Sequence, residues 1–153
     1  MNMNKKTPKE SYTEQVQIVS SADLNGYSRL FGGRLMEWAD ITAAVCARRH
    51  SGKNVTTARV DTLEFHAPAH ANDTVLITAS VTYTGKSSME VLVESFVEKS
   101  GGRKAPVIRA YFIMVALDDA ENPTAVPELL PETEKELALW EAGKRRYEAR
   151  RQS

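Results

Sequence analysis

One carboxylate in this chain occupies a position where a carboxylate needs a reason. Arg34 to His50 contains no Pro or Gly and several Ala, so it is predicted to be helical. At about 100° per residue, Leu35, Met36, Ala39, Ala43, Ala44, Cys46 and Ala47 fall in one continuous apolar arc. Asp40 lies inside that arc, with Met36, Ala43, Ala44 and Ala47 at helical neighbour spacing. Arg34, Arg48 and Arg49 lie outside it, and Glu37 sits at its edge. Desolvating a carboxylate is costly unless something pairs with it, and burial raises its pKa toward that of a useful general base. Phe31-Gly32-Gly33 precede the helix. Free N–H groups at such a start, with the positive end of the helix dipole, favour developing negative charge. A base on a helix whose N-terminus can hold an oxyanion suits acyl transfer. Accepting a structural hydrogen bond from a loop backbone is the other use of such a group, and the pattern leaves both open.

Other chemistry-bearing residues are weaker. Gly85-Lys86-Ser87-Ser88 combines turn N–H groups, a cation and two hydroxyls, which could hold a phosphate or pantetheine group or form an ordinary hairpin. His50, His66 and His70 lack metal-ligand spacing and are expected to be solvated or locally bonded. No Gly-x-Ser-x-Gly elbow occurs, so a Ser-His-Asp hydrolase has no support. Cys46 is expected to be a packed small side chain. Lys144, Arg145, Arg146, Arg150 and Arg151 gather at the end of a second predicted helix, where cations favour the helix dipole; nucleic-acid contact is the less favoured reading.

The elements that must position Asp40 follow from patterning. A strand is expected over Thr13–Val19, then a turn-rich loop from Ser20 to Ser28. Four strands are expected over Val55–Phe65, Thr74–Thr84, Ser87–Glu98 and Lys104–Leu117, rich in Val, Ile, Thr, Tyr and Phe. Short joints between them imply an antiparallel sheet. Pro123, Pro127 and Pro131 interrupt the next stretch, and a charged helix with a thin Leu137, Trp140, Tyr147 seam is expected over Glu132–Arg151. The order is strand, long helix, then four strands. A lone helix cannot leave its apolar arc in water, so a curved sheet wrapped around it is the economical α+β solution.

The length of 153 residues suits one domain. Three segments are expected: a disordered, Lys-rich arm at 1–10, a domain at 11–120, and a Pro-rich connector with the charged helix at 121–153. Twenty basic side chains balance twenty acidic ones, so no global field favours nucleic acid or a membrane. Cys46 is the only cysteine, so an intrachain disulfide is excluded. With no signal-like or membrane-spanning run, a cytoplasmic protein is expected. Ile41, Val45 and Trp38 lie off the main arc, so the helix is expected to need cover on more than one side.

Asp23-Leu24-Asn25, Phe31-Gly32-Gly33-Arg34-Leu35-Met36 and Asp40 resemble the hot-dog acyl-CoA thioesterases of the cytosolic acyl-CoA hydrolase group. Thr56-Thr57-Ala58-Arg59-Val60-Asp61 with Phe65 and Pro68 is similar to the family's second strand, and Thr84 to Met89 to its CoA-side turn. Ala110 to Asp118 is similar to its last strand. The resemblance implies a hot-dog fold and hydrolysis of acyl-CoA to free acid and CoA, with no cofactor. It implies a dimer-built homohexamer in which Asp40 and a partner chain's Asn25 share one site. It also implies CoA contacts at Gly85, Lys86, Ser87 and Ser88, while the helix start at Gly32 and Gly33 is expected to supply the oxyanion or substrate contacts. One departure stands out: the family usually carries Gly three residues after the loop Asn, where this chain has Ser28. Hot-dog dehydratases and hydratases pair a loop His with a helix carboxylate, and no His occurs from Ser20 to Gly33. A non-catalytic acyl-CoA sensor is the remaining alternative.

Overall fold

The computed structural model describes residues 4–152. The element order is α1 (Pro8–Ser11), β1 (Thr13–Ile18), α2 (Gly32–Ser51), β2 (Asn54–Phe65), β3 (Thr74–Thr84), β4 (Ser88–Glu98), β5 (Lys104–Leu117) and α3 (Glu134–Gln152). The strands form one curved antiparallel sheet in the order β1-β3-β4-β5-β2, and α2 packs against all five of them. This is the α+β layout expected from sequence, with one helix wrapped by the sheet.

Strand neighbours are not all sequence neighbours. β1 pairs with β3, and β3 pairs on its other side with β4. That leaves β2 no place beside β3, so it crosses to the free edge of β5. The joint after β2 is therefore a crossing loop. It is pinned to the loop between β1 and α2 by the Leu30 N–H donating to the Ala69 carbonyl at 2.8 Å. β2 ends the sheet with most of its side chains exposed.

Helix α2 starts two residues before the predicted Arg34 and ends at Gly52, whose φ of 69° gives a left-handed cap donating to the Arg48 carbonyl. Its buried stripe holds Leu35, Trp38, Ala39, Thr42, Ala43, Cys46 and Ala47. Trp38 and Thr42 thus belong to the core side, contrary to the helical-wheel expectation for Trp38. Gln15 of β1 explains the rotation, because its amide donates to both the Trp38 carbonyl and the Thr42 hydroxyl. Asp40 consequently lies at the border of the stripe and is half-buried. Cys46 is fully buried as expected, and burial pushes its thiol pKa up to about 11.

The N-terminal arm is not disordered over residues 4–10; Met1, Asn2 and Met3 lie outside the described residues. The Lys6 N–H donates to the Glu128 carbonyl, and the Lys6 carbonyl accepts from Leu130. Lys6 Nζ caps the Arg49 carbonyl, and Pro8 is buried. Two backbone hydrogen bonds and a buried ring outweigh the polar composition that suggested an arm.

Helix α3 lies across the outer sheet face. Its approach depends on Gly143, where a Cβ would stand 2.7 Å from Glu90 Oε1 and 2.8 Å from Tyr83 Cβ. Trp140 and Tyr147 flank the Tyr83 ring at 5.4 and 5.3 Å. Glu90 is only 2% exposed. It receives two 2.9 Å bonds from Arg146 and one of 2.7 Å from Thr82. The Arg146 guanidinium also lies 3.9 Å from the Tyr111 ring centroid. Arg150 pairs with Asp61 of β2 at 3.3 Å. The basic end of this helix is therefore partly a set of anchors to the sheet, beyond the dipole role read from sequence.

His50 is neither solvated nor locally bonded. It is fully buried, and its Nε2 lies 2.7 Å from the Pro127 carbonyl in the connector. A carbonyl only accepts, so Nε2 carries the hydrogen and Nδ1 is left without a partner among the described residues. Burial holds the His50 pKa below the usual imidazole value; Lys6 lowers it further, while the Pro127 bond and Glu10 act against this.

Two predictions follow from this packing. Arg146→Met should lower unfolding stability in urea by roughly 3 kcal/mol, because a buried Glu90 charge loses its partner. The Arg146→Met, Glu90→Gln double variant should recover part of that loss. For His50, the unfolded chain binds the proton more tightly than the folded one. Stability should therefore fall as pH drops below the unfolded imidazole pKa near 6.5 and level off below the depressed folded value. In His50→Gln, that part of the melting-temperature decline between pH 7 and 5 should disappear.

Candidate active site

Asp40 faces the edge strand. The Thr57 hydroxyl of β2 donates to Asp40 Oδ1 at 2.6 Å and also lies 3.4 Å from Met114 Sδ on β5. Thr57 and Met114 are register partners, so the β-ladder sets the hydroxyl's position. The ladder slips immediately afterwards, between Thr57 and Arg59. Thr57 was given no role in the sequence reading. Two adjacent Thr residues in a strand look alike until register and strand order show which one faces the helix.

Asn25 is held by its own loop. Its Oδ1 accepts from the Tyr27 N–H at 2.8 Å and the Arg29 N–H at 3.2 Å, and its backbone N–H donates to the Arg29 carbonyl. These bonds fix the amide with Oδ1 turned into the loop. Ser28 takes a φ of 60°, the left-handed conformation that glycine adopts without strain. The departure from the family pattern therefore leaves a glycine-like path around Asn25.

Asn25 lines a cleft of about 350 Å³ with Arg29, Gly32, Phe65, His66 and Pro68. Asp40 does not line it. Within one chain, then, Asn25 and Gly32 come together, whereas Asp40 belongs to a separate surface beside Thr57. Phe31, the N-cap of α2, offers no side-chain cap, so the first-turn N–H groups have no side-chain acceptor there. Gly32 stands 4.0 Å from the Phe65 ring, and the Phe31 ring lies over Gly33, where a Cβ would be 2.6 Å away. Arg34 pairs with Asp23 at 3.2 Å and ties the helix start to the loop carrying Asn25.

Gly85, Lys86, Ser87 and Ser88 form the turn joining β3 and β4, on the side of the sheet where α3 ends. Gly85 is pressed under Tyr147 of α3, with a Cβ position only 2.5 Å from Tyr147 Cε1. Its N–H donates to the Ser88 carbonyl, while the Lys86 carbonyl accepts from Val126. His66 and His70 are surface groups near Glu64 and Asp73, at 3.6 and 3.9 Å. No cluster of three or more His, Cys, Asp or Glu side chains suited to a metal occurs among the described residues.

A model of the thioesterase superfamily matches residues 27–103. The chain is 34% identical over 139 residues to the uncharacterized acyl-CoA thioester hydrolase YkhA of Bacillus subtilis, covering 87% of this chain and 81% of that one. It is 32% identical to the cytosolic acyl coenzyme A thioester hydrolase of Rattus norvegicus, covering 96% of this chain but spanning only 39% of that longer protein. The fold superimposes on an apo-hexameric acyl-CoA thioesterase with a TM-score of 0.93 at 31% identity, covering 98% and 97% of the two chains. It also superimposes on an acyl-CoA hydrolase of Staphylococcus aureus in complex with butyryl coenzyme A, with a TM-score of 0.91 at 33% identity, covering 96% and 90%. Structures of that enzyme include single alanine variants at an Asn, an Asp and a Thr. A five-stranded sheet curled around one long helix, with this sequence likeness along most of its length, places the chain in the thioesterase superfamily as a hot-dog-fold member of the acyl-CoA thioester hydrolases.

Proposed function

We propose that the protein hydrolyses acyl-CoA thioesters to free acid and CoA, with Asp40 as the catalytic carboxylate and Asn25 supplied by a second copy of the chain. The observation that carries this reading is the Asp40–Thr57 pair at the uncovered edge of the sheet. One carboxylate oxygen is held by Thr57, and the other is left to accept a proton from water or to attack an acyl carbon. Asp40 and Thr57 are 17 residues apart, and Asn25 precedes Asp40 by 15. The Asn, Asp and Thr altered in the S. aureus enzyme have the same two spacings.

The chemistry needs only water and these groups, and no cofactor. As general base, Asp40 takes a proton as the water oxygen bonds to the acyl carbon. The carbonyl oxygen gains charge near the N–H groups of Gly32 and Gly33. The C–S bond then breaks, and the proton passes to the leaving thiolate. As nucleophile, Asp40 would instead form an anhydride that water opens. Asn25 Oδ1 is occupied within its loop, so its NH₂ group faces outward to donate to the carbonyl or to orient the water. Lys86, Ser87, Ser88 and the Gly85 backbone would contact the CoA portion.

Assembly completes the site. Phe31, Ile41 and Phe65 are 55%, 50% and 60% exposed, and Val60 and Leu63 of β2 are also exposed. An uncovered edge strand beside such apolar groups fits pairing with a second β2. We place the protein in the cytoplasm as a homohexamer of such dimers. No described helix is long and apolar enough to cross a membrane.

Asp40→Asn should keep the fold and lower thiol release from acyl-CoA by roughly 10²–10⁴-fold; near-normal turnover in the folded variant would remove Asp40 from the mechanism. The shared site has its own test. Asn25→Ala and Asp40→Asn protein, each inactive, should regain activity on mixing. Random re-pairing makes about half the dimers mixed, each with one intact site, so roughly a quarter of wild-type activity should return if sites are independent. Native mass spectrometry checks that mixed dimers form; mixed dimers without activity would place both residues in one chain's site.

A further inference from the structure

We propose that Arg150 of α3, through its ion pair with Asp61, is a positioning residue: it holds the irregular part of β2 so that the Thr57 hydroxyl stays on Asp40. Resting on the thioesterase reading, this assigns the outer helix a part in aligning the reacting carboxylate.

Side chains of a regular strand alternate between its two faces, so Thr57 and Asp61, four residues apart, would share one face. They do not. Thr57 bonds to Asp40 of α2, on the inside of the sheet, and Asp61 bonds to Arg150 of α3, on the outside. The reversal happens at Ala58. The ladder runs from Thr57 opposite Met114 directly to Arg59 opposite Ile113, leaving Ala58 as one extra residue on β2. A second slip follows Asp61, and within it Thr62 takes a φ of 53°, a left-handed conformation costly for a β-branched residue. Arg59, Val60 and Asp61 are therefore a short paired piece with an irregularity at each end. β2 is also the last strand in the order, so within the chain only β5 pairs with it.

Helix α3 supplies a second hold. Arg146 and Arg150 are four residues apart, on one side of the helix. Arg146 is locked on Glu90 of β4 and lies over Tyr111 of β5. Tyr111 is the register partner of Asp61, so the next helical turn brings Arg150 to β2. The Arg150 and Asp61 side chains are only 17% and 18% exposed, which limits screening of the pair. Arg59 Nε also donates to Asp61, at 2.7 Å, but it sits on the same short piece and ties it to nothing else. Arg150 ties it to a helix anchored on two other strands. Movement of this piece along β5 would be taken up at Ala58, and Thr57 is the next residue. The hydroxyl that holds Asp40 is thus steadied from the opposite face of the sheet.

The test is a double-variant cycle on thiol release from the acyl-CoA that wild type cleaves fastest, using Arg150→Gln, Thr57→Val and their combination. Arg145→Gln, at an exposed cation of the same helix, controls for the lost charge. Arg59 remains beside Asp61 in Arg150→Gln, so the fold should be kept, which circular dichroism checks. Asp61→Asn removes the same pair from the β2 side and should behave alike. Arg150→Gln should lower kcat roughly tenfold with KM unchanged, because a small misplacement of reacting groups is costly in rate. Thr57→Val should lower kcat at least as far, and adding Arg150→Gln to it should cost nothing more. Arg145→Gln should change neither constant. Wild-type kcat in Arg150→Gln, or a combined loss equal to the product of the two single losses, would overturn the positioning role, since independent sites multiply in rate. If wild type releases thiol from no acyl-CoA in a panel of chain lengths, the thioesterase reading fails, and amide hydrogen exchange decides whether Arg150 holds Thr57. Faster exchange around Thr57 in Arg150→Gln, with β3 unchanged, sustains it; exchange equal to wild type overturns it.

Discussion

The structure depends on how closely α2 approaches the concave face of its sheet. Ala39, Ala43 and Ala47 are all fully buried along one side of that helix, and the fully buried Cys46 is equally small. Small side chains let the helix settle deep in the curve, where it meets every strand. Strand β2 comes last in the order and closes over only part of the helix. Asp40 falls at the line where cover runs out. It is therefore sheltered enough to be held by Thr57 while remaining only half-buried.

The outer face repeats the same constraint by a different device. α3 has too thin an apolar stripe to be held by burial alone. It is fixed by two glycines, Gly143 in the helix and Gly85 in the sheet turn, and by the Glu90–Arg146 pair. Each glycine removes a side chain that would hold the layers apart. The buried carboxylate is satisfied by Arg146 and Thr82, so the close approach leaves no unpaired charge. A buried ion pair adds little net stability over an apolar contact, but it specifies one register of helix on sheet. That register sets Tyr147 against Gly85.

Much of this was legible in the sequence, and the reasons for the misses are physical. β3 and β5 begin and end at the expected residues, because alternation and turn residues act locally. Strand order was not legible, since the choice of β5 over β3 as partner of β2 is made by what β1 already occupies. Asp40 stood out because a carboxylate is costly on an apolar helix face. Thr57 did not, because its role comes from facing Met114 and the helix, which is a property of register. The partners of Arg146, Arg150 and His50 were hidden for the same reason: each lies at least fifty residues away in the chain. The N-terminal arm was misread because composition reports what a segment could do alone, and its order comes from bonds to Glu128 and Leu130.

Ser28 shows how a site can depart from a family pattern and keep its geometry. A left-handed φ is costly for serine, yet the Asn25 side chain accepts two backbone N–H groups across that turn and the Asn25 carbonyl accepts a third. Those bonds hold the strained residue in place, and the strained residue keeps the N–H groups converging on Asn25 Oδ1. The same bonds orient the Asn25 amide, so loop strain and the readiness of the NH₂ group have one cause. Arg34 then links this loop, through Asp23, to the first turn of α2. The first turn of α2 and the loop carrying Asn25 are consequently tied together. Asp40 is carried separately, by the pairing of β2 with β5. Under the proposed shared site, these two parts would face one another only when a β2 edge meets a second chain, so assembly and alignment of the reacting groups would be the same event.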